Sequence, residues 1–303
     1  ENTIKDHWDQ IALRDYDNGE KTYADAGNII LNLHELFRNN NIQKGDKIAL
    51  IGKNSGDWAC IYLATVTYGA VIVPLLQDFT PNDIYNLVNH SDSKLLFISD
   101  FIFNKLKPDV FTQLEGIYQL ENYKLLHSYT NQSATYSAKE QGIGLADFKL
   151  EQIDNGELAA ILYTSGTSGN PKGVMLTHNA LAANIRYARA NMPLRAGDRI
   201  VSFLPLAHSY GCAFEFLYPF TLGCSITFLG KLPAPQVVIK AFNEIKPRLI
   251  LSVPLVMEKV YKSKIKPQLQ KPIIGFLSKI PLLNKIVYNK VKKGLSASFG
   301  GEF

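Results

Sequence analysis

The chain has 303 residues, 46% of them hydrophobic and 19% charged, with a mean hydropathy near zero. That composition excludes a largely disordered chain, and no uninterrupted apolar run approaches the ~18–20 residues that a membrane span needs. The formal charge of +5 is uneven: residues 259–300 hold ten lysines and no Asp, Glu or Arg, leaving 22 basic against 27 acidic residues elsewhere, a net −5. Cys60, Cys212 and Cys224 are odd in number, far apart and set in apolar contexts, which predicts buried thiols of a reducing, cytoplasmic compartment. The six histidines form no HxxxH pair and join no Cys cluster, so no structural metal site is expected. The chain starts at Glu1 rather than Met and is already close to periodic sequence, so a processed or cut boundary is expected there.

Short apolar runs alternate with helical patterns almost throughout. Lys47-Ile48-Ala49-Leu50-Ile51 reads as a strand. Ser55 then caps a helix whose Trp58, Ile61, Tyr62, Thr65 and Tyr68 fall at helical spacing. Ala70–Leu75 is the next strand, and Thr80-Pro81-Asn82-Asp83 starts a helix with a capping hydroxyl, Pro at the first position and an acid near the third. Lys94–Ser99 is a third strand. Residues 129–150, rich in Ser, Thr, Ala, Gly and Gln with little periodicity, read as a connecting loop. A second series follows, with strands near 158–163, 199–204, 224–229 and 248–253 and helices near 178–192, 212–221, 235–246 and 254–264. The expected fold is therefore α/β, with mainly parallel sheets and two βα-repeat subdomains over 1–150 and 151–303.

The most specific feature is a buried strand running into Thr164-Ser165-Gly166-Thr167-Ser168-Gly169-Asn170-Pro171-Lys172-Gly173, with three glycines, four hydroxyls and one lysine in ten residues. Glycines let backbone N–H groups approach an anion closely, hydroxyls donate to phosphate oxygens, and Lys172 adds a positive charge. This is the chemistry of a polyphosphate cradle; a flexible Ser/Gly hairpin between two strands fits the same residues. It is not a Walker A loop, because Lys172 is followed by Gly173 and by another strand, Val174–Thr177, rather than by a helix. The helix starts at about Thr177, with Leu181, Ile185, Ala188 and Met192 on one face.

Tyr163–Gly173 resembles the YTSGTTGxPKG signature of the adenylate-forming superfamily, which comprises acyl-CoA synthetases, peptide-synthetase adenylation domains and luciferases; only Ser168 departs from it, and it keeps the hydroxyl. Lys21–Asp25, Tyr68–Leu75, Leu204–Gly211 and Arg248–Pro254 resemble other core motifs of that family in the same order. The resemblance implies that Thr164, Ser165, Gly166, Thr167, Ser168, Gly169 and Lys172 hold the β- and γ-phosphates of ATP while a carboxylate is adenylated, with Lys172 the catalytic cation. It also implies that His208, Ser209, Tyr210 and Gly211 line the place where the acyl carboxylate meets the α-phosphate. His208 falls at a position where acyl-CoA synthetases carry His or an aromatic residue; a packing histidine is the other reading. Amino-acid-activating relatives carry an Asp in this stretch, whereas residues 209–214 are Ser, Tyr, Gly, Cys, Ala and Phe.

Long-chain fatty acid–CoA ligases resemble the chain here too, since they carry an insertion after the SVP strand, which implies a long-chain acid as the preferred substrate. ATP, a long-chain fatty acid and CoA are the implied partners, with Mg2+ held by a Glu of a later motif not found in these residues. Residues 271–293 interleave Ile, Leu, Val and Phe with lysines only, which fits a basic amphipathic segment on an anionic membrane surface or an ordinary helical hairpin packed on the domain. The expected whole is the incomplete N-terminal domain of an acyl-CoA synthetase-like fold, with little or no ligase activity alone, and with a sheet edge left open for dimerisation. A non-catalytic nucleotide- or lipid-binding module of the same family is the alternative. A nucleic-acid partner is not expected, since the lysines cluster without Arg or any nucleic-acid motif.

Overall fold

The computed structural model describes residues 1–16, 18–130, 135–136, 142–165, 171–230, 235–254, 258, 262, 266–269 and 289. Gly166, Thr167, Ser168 and Gly169, the helix expected near 254–264 and almost all of the lysine-only segment 259–300 lie outside the described residues. Along the chain run α1 (Asn2–Asp6), β1 (Ile11–Asp15), β2 (Glu20–Thr22), α2 (Tyr23–Asn39), β3 (Lys47–Ile51), α3 (Gly56–Tyr68), β4 (Val71–Leu75), α4 (Pro81–His90) and β5 (Ser93–Ile98). They are followed by α5 (Asp100–Phe103), β6 (Gly116–Gln119), β7 (Leu125–Ser128), β8 (Leu158–Ser165), β9 (Pro171–Thr177), α6 (His178–Asn191) and β10 (Arg199–Ser202). Next come α7 (Ser209–Gly211), a π-helix (Cys212–Leu217), α8 (Tyr218–Leu222), β11 (Ser225–Phe228) and α9 (Pro235–Ile245).

The expected caps form. Ser55 Oγ accepts from the Trp58 N–H, and Thr80 with Asp83 makes a reciprocal capping box behind Pro81. A second capping box, Thr22 with Asp25, starts α2 inside the Lys21–Asp25 motif.

Two sheets result, one ordered β7-β6-β5-β3-β4-β8-β9 and the other β10-β11-β1-β2. Strands β6, β5, β3, β4 and β8 are parallel neighbours, as are β10, β11 and β1; β7, β9 and β2 pair antiparallel at the margins. This is the mainly parallel α/β fold expected from the alternating pattern. Each sheet draws strands from both sides of residue 150.

Period-two alternation sends successive strand side chains to opposite faces. Ile48 and Leu50 join one core with α2 and α3 and with Leu13, Ile226 and Phe228 of the second sheet. Ala49 and Ile51 join another beneath Ile84, Leu87 and Val88 of α4. The far face of β10 packs Val201 and Phe203 on Val238, Ala241, Phe242 and Ile245 of α9. Fully burying one such side chain contributes roughly 1.5–3 kcal/mol.

Two expected elements differ. Residues 248–253 run beside β10 with Arg248 N–H donating to Arg199 O (2.9 Å) and a single parallel bridge between Ile200 and Leu249, and no ladder continues. The Phe203 N–H, just past the end of β10, donates to the Glu215 carboxyl. The helix expected over 212–221 opens into the wider π form before returning to α8. Pro219 has no N–H to give the Glu215 carbonyl four residues back and its ring crowds that carbonyl, which the wider turn relieves.

Candidate active site

Strand β8 leaves the carboxyl end of the parallel array beside β4 and returns as β9. In the hairpin Thr164 faces Lys172 and Ser165 faces Pro171, so the rim of the loop carries a hydroxyl directly opposite an amine. Both Thr164 and Lys172 are exposed. Gly173 faces Tyr163, and a Cβ at Gly173 would come to 2.9 Å from Ile161 Cγ2, so this turn of the strand admits only hydrogen. The Tyr163 hydroxyl is hydrogen-bonded to His90 Nδ1 (2.7 Å), anchoring the strand to the C-terminal end of α4, and burial raises the phenol above its ordinary pKa.

Residues 203–211 leave the carboxyl end of β10. Two side chains far from each other in sequence hold their backbone. Glu215 Oε2 accepts from both Phe203 N–H and Leu204 N–H at 2.9 Å. Asn54, in the loop after β3, donates through Nδ2 to Leu204 O (2.7 Å) and accepts at Oδ1 from Leu206 N–H (3.2 Å). Glu215 is 1% exposed, and burial pushes its carboxyl up to about 8 against the opposing N–H groups of Leu204 and Phe203 and the hydroxyl of Ser202. Its Oε1 and Ser202 Oγ are both buried and lack a partner in hydrogen-bond geometry.

The turn closes on itself through His208 N–H to Pro205 O (3.1 Å) and Cys212 N–H to His208 O (3.0 Å). Gly211 is required at its end, because a Cβ there would lie 2.7 Å from the Pro205 carbonyl oxygen. His208, Ser209 and Tyr210 are exposed and Gly211 is buried; the Tyr210 ring stands edge-on to Phe214 at 5.4 Å. The floor beneath is aromatic: Trp58 stacks on Tyr62 (5.5 Å), and Phe216 stands edge-on to both. Burial raises the Cys212 thiol to about 12, so it is a packing group rather than a nucleophile.

Among the described residues the fold thus brings Thr164 and Lys172 together on one hairpin and His208 to Gly211 together on one turn, with no hydrogen bond or ion pair joining the two groups. Among the described residues, Asn54 ties the turn to the sheet that carries the hairpin. It follows β3, in the same parallel array as β8, and is bonded to the turn that follows β10 of the other sheet. Ligands of parallel α/β sheets bind at such carboxyl ends. Sequence reading missed Asn54 and Glu215. Glu215 is the one charged residue in the apolar run 211–222, a signal that could have found it; Asn54 carries none.

The hairpin suits an anion, offering a hydroxyl, an ammonium and a strand position kept free of side chain. No group of three or more His, Cys, Asp or Glu converges among the described residues, and no step below is routed through a divalent cation.

A family model described as "AMP-binding enzyme" matches residues 1–295. Among curated proteins, the chain is 30% identical to a chloroplastic long-chain-fatty-acid–[acyl-carrier-protein] ligase of Arabidopsis thaliana, over 94% of the chain and 41% of that protein. It is 24% identical to long chain acyl-CoA synthetase 3 of the same plant, over 92% of the chain and 46% of the relative. The chain spans less than half the length of these curated relatives. Among solved structures, the inhibitor-bound N-terminal domain of FACL13 from Mycobacterium tuberculosis superposes with a TM-score of 0.68 at 20% identity, over 89% of this chain and 66% of that one. That likeness is one of fold.

Proposed function

The chain belongs to the family of AMP-binding enzymes, and on that premise we propose that it carries the phosphate-binding hairpin and acyl-binding turn of a long-chain fatty acid–CoA ligase. Enzymes of this family are AMP-forming acid–thiol ligases that use ATP and typically Mg2+. In the proposed reaction a fatty carboxylate oxygen attacks the α-phosphorus of ATP, the α–β bridging P–O bond breaks, and pyrophosphate leaves. The thiol of CoA then attacks the acyl carbonyl and AMP departs.

The observation that carries this reading is the hairpin geometry, with Thr164 opposite Lys172 at the rim of the glycine- and hydroxyl-rich loop. Lys172, Thr164 and Ser165, together with Gly166, Thr167, Ser168 and Gly169, bind the β- and γ-phosphates. Charge accumulates on the leaving pyrophosphate, and a fixed ammonium and hydroxyl donors stabilise that charge more in the transition state than in bound ATP. His208, Ser209, Tyr210 and Gly211 receive the carboxylate end of the acid. Glu215, the charged residue of the run 211–222, is buried and turned onto backbone N–H groups, with its carboxyl pushed up to about 8, so it offers no exposed carboxylate to fix an amino group. Relatives named for long-chain acids favour that substrate class.

The 303 residues alone are proposed to bind the pyrophosphate moiety weakly and to lack ligase activity, because the later motif whose Glu would hold Mg2+ in the resembled family is not found in their sequence. Palmitate-dependent exchange of labelled pyrophosphate into ATP tests this. No exchange by this chain is expected. Robust exchange would overturn the inactivity, and saturable pyrophosphate binding insensitive to substitution of Lys172 would overturn the loop assignment.

A further inference from the structure

The turn that presents His208, Ser209 and Tyr210 has few backbone bonds of its own, yet four backbone groups over residues 203–206 are held by just two side chains. The Glu215 carboxyl takes the Phe203 and Leu204 N–H groups. The Asn54 carboxamide takes Leu204 C=O and Leu206 N–H. These side chains come from different supports: Glu215 from the π-helix that continues the turn, and Asn54 from the loop after β3 in the other sheet. A wide turn of π-helix inside helical structure is a recurrent feature of functional sites.

The Phe203 N–H, the first past the end of β10, is bonded to Glu215, so the turn begins where that carboxyl reaches. A carboxyl spent on two backbone donors, and a carboxamide matched donor-to-acceptor from another element, specify one backbone path rather than merely fill space.

We propose that Glu215 and Asn54 are the positioning residues of the acyl-binding turn, holding residues 203–206 from two separate elements so that His208, Ser209 and Tyr210 meet the fatty acid in a fixed arrangement. The substrate part of this statement rests on the reading of the turn given above; the clamp does not. Neither side chain touches substrate. Their effect passes through the backbone, and it needs the acceptor oxygen of Glu215 rather than its charge.

The 303-residue chain and its Glu215→Ala, Glu215→Gln and Asn54→Ala variants are compared at pH 6 by amide hydrogen exchange and by binding of cis-parinaric acid, a fluorescent fatty acid. Glu215→Ala is expected to speed exchange at Phe203 and Leu204 by about tenfold, the loss of one hydrogen bond's worth of protection, while β3 and β4 amides keep wild-type rates. Asn54→Ala is expected to do the same at Leu206. Both should weaken parinaric acid by about fivefold or more, whereas Glu215→Gln, which keeps both acceptor bonds, stays within about twofold of wild type on both readouts. Acceleration spread evenly over β3, β4 and β10, no acceleration at 203 and 204, or Glu215→Gln behaving like Glu215→Ala would each overturn the clamp. Should Glu215→Ala fail to fold, Asn54→Ala and Glu215→Gln decide it. If the wild-type chain binds no parinaric acid, the acyl reading of the turn falls while the exchange data still decide the clamp.

Discussion

Replacing Glu215 by Gln should open a stability difference that grows as pH rises. The carboxyl is almost fully buried, with no charged group among the causes of its shift, and its folded pKa of about 8 lies well above the unfolded value of 4.5. Between these two values the folded chain binds a proton that the unfolded chain has released, so this group's contribution to stability is complete below pH 4.5 and is lost as pH rises toward 8. One proton corresponds to about 1.4 kcal/mol per pH unit, so by pH 7 the loss is on the order of 3 kcal/mol. Gln has nearly the same shape, accepts the same two N–H bonds and does not ionise, so it removes the slope. Urea unfolding of both proteins at pH 5, 6, 7 and 8 reads this directly, since every other titrating group cancels in the difference. The two midpoints should lie close together at pH 5 and separate by about 1 M urea at pH 7, with the variant the more stable. Parallel pH profiles, or a wild type that gains on the variant as pH rises, would show that Glu215 is an ionised, stabilising carboxylate.

Other outcomes follow from the same physical chemistry. His34 is buried between α2 and α3, with Nε2 within hydrogen-bond distance of Ala64 O and Thr67 Oγ1, and burial lowers its pKa to about 4. It should stay neutral by NMR down to about pH 4, and the fold should lose on the order of 3 kcal/mol from this group as pH falls from 6.5 toward 4; a titration midpoint near 6.5 would contradict its burial. Gly211→Ala places a Cβ 2.7 Å from Pro205 O and should cost roughly 1–3 kcal/mol in a urea melt, whereas a neutral effect would mean that the turn is looser than described. The lysine-only segment should bring the chain down with phosphatidylserine vesicles at low salt and release it at high salt; equal sedimentation with neutral vesicles would count against an electrostatic contact.

Much of the fold was legible because its signals are local. Ser55, Thr80, Pro81 and Asp83 mark helix starts within four residues, and the apolar runs at 47–51, 71–75 and 158–163 are largely buried strands of the parallel array, recognisable without long-range knowledge. What local pattern could not supply is partnership. Nothing in the order of elements says that β1 lies between β2 and β11, more than 190 residues away along the chain, or that Asn54 bonds to residues about 150 positions on. The strand expected at 248–253 has the right composition but makes a single bridge to β10, and the backbone just past β10 is bonded to a side chain, Glu215, that only the folded chain brings there. The site was legible where chemistry is concentrated in consecutive residues, as in Thr164–Gly173, and illegible where it depends on side chains bonding to a distant backbone.

The account rests most heavily on Lys172 and its hairpin as a pyrophosphate-binding element. Isothermal titration of inorganic pyrophosphate into the 303-residue chain and its Lys172→Ala variant tests that claim directly, with thermal melts to show that both are folded. Lys172 is exposed at the rim, so its loss should leave the melt unchanged. The expected result is weak, saturable binding by the wild-type chain, reduced tenfold or more in the variant, about the contribution of one charge-assisted contact. Equal affinity in the two proteins, or binding by neither, would contradict the assignment of the hairpin and with it the proposed ligase chemistry of this chain.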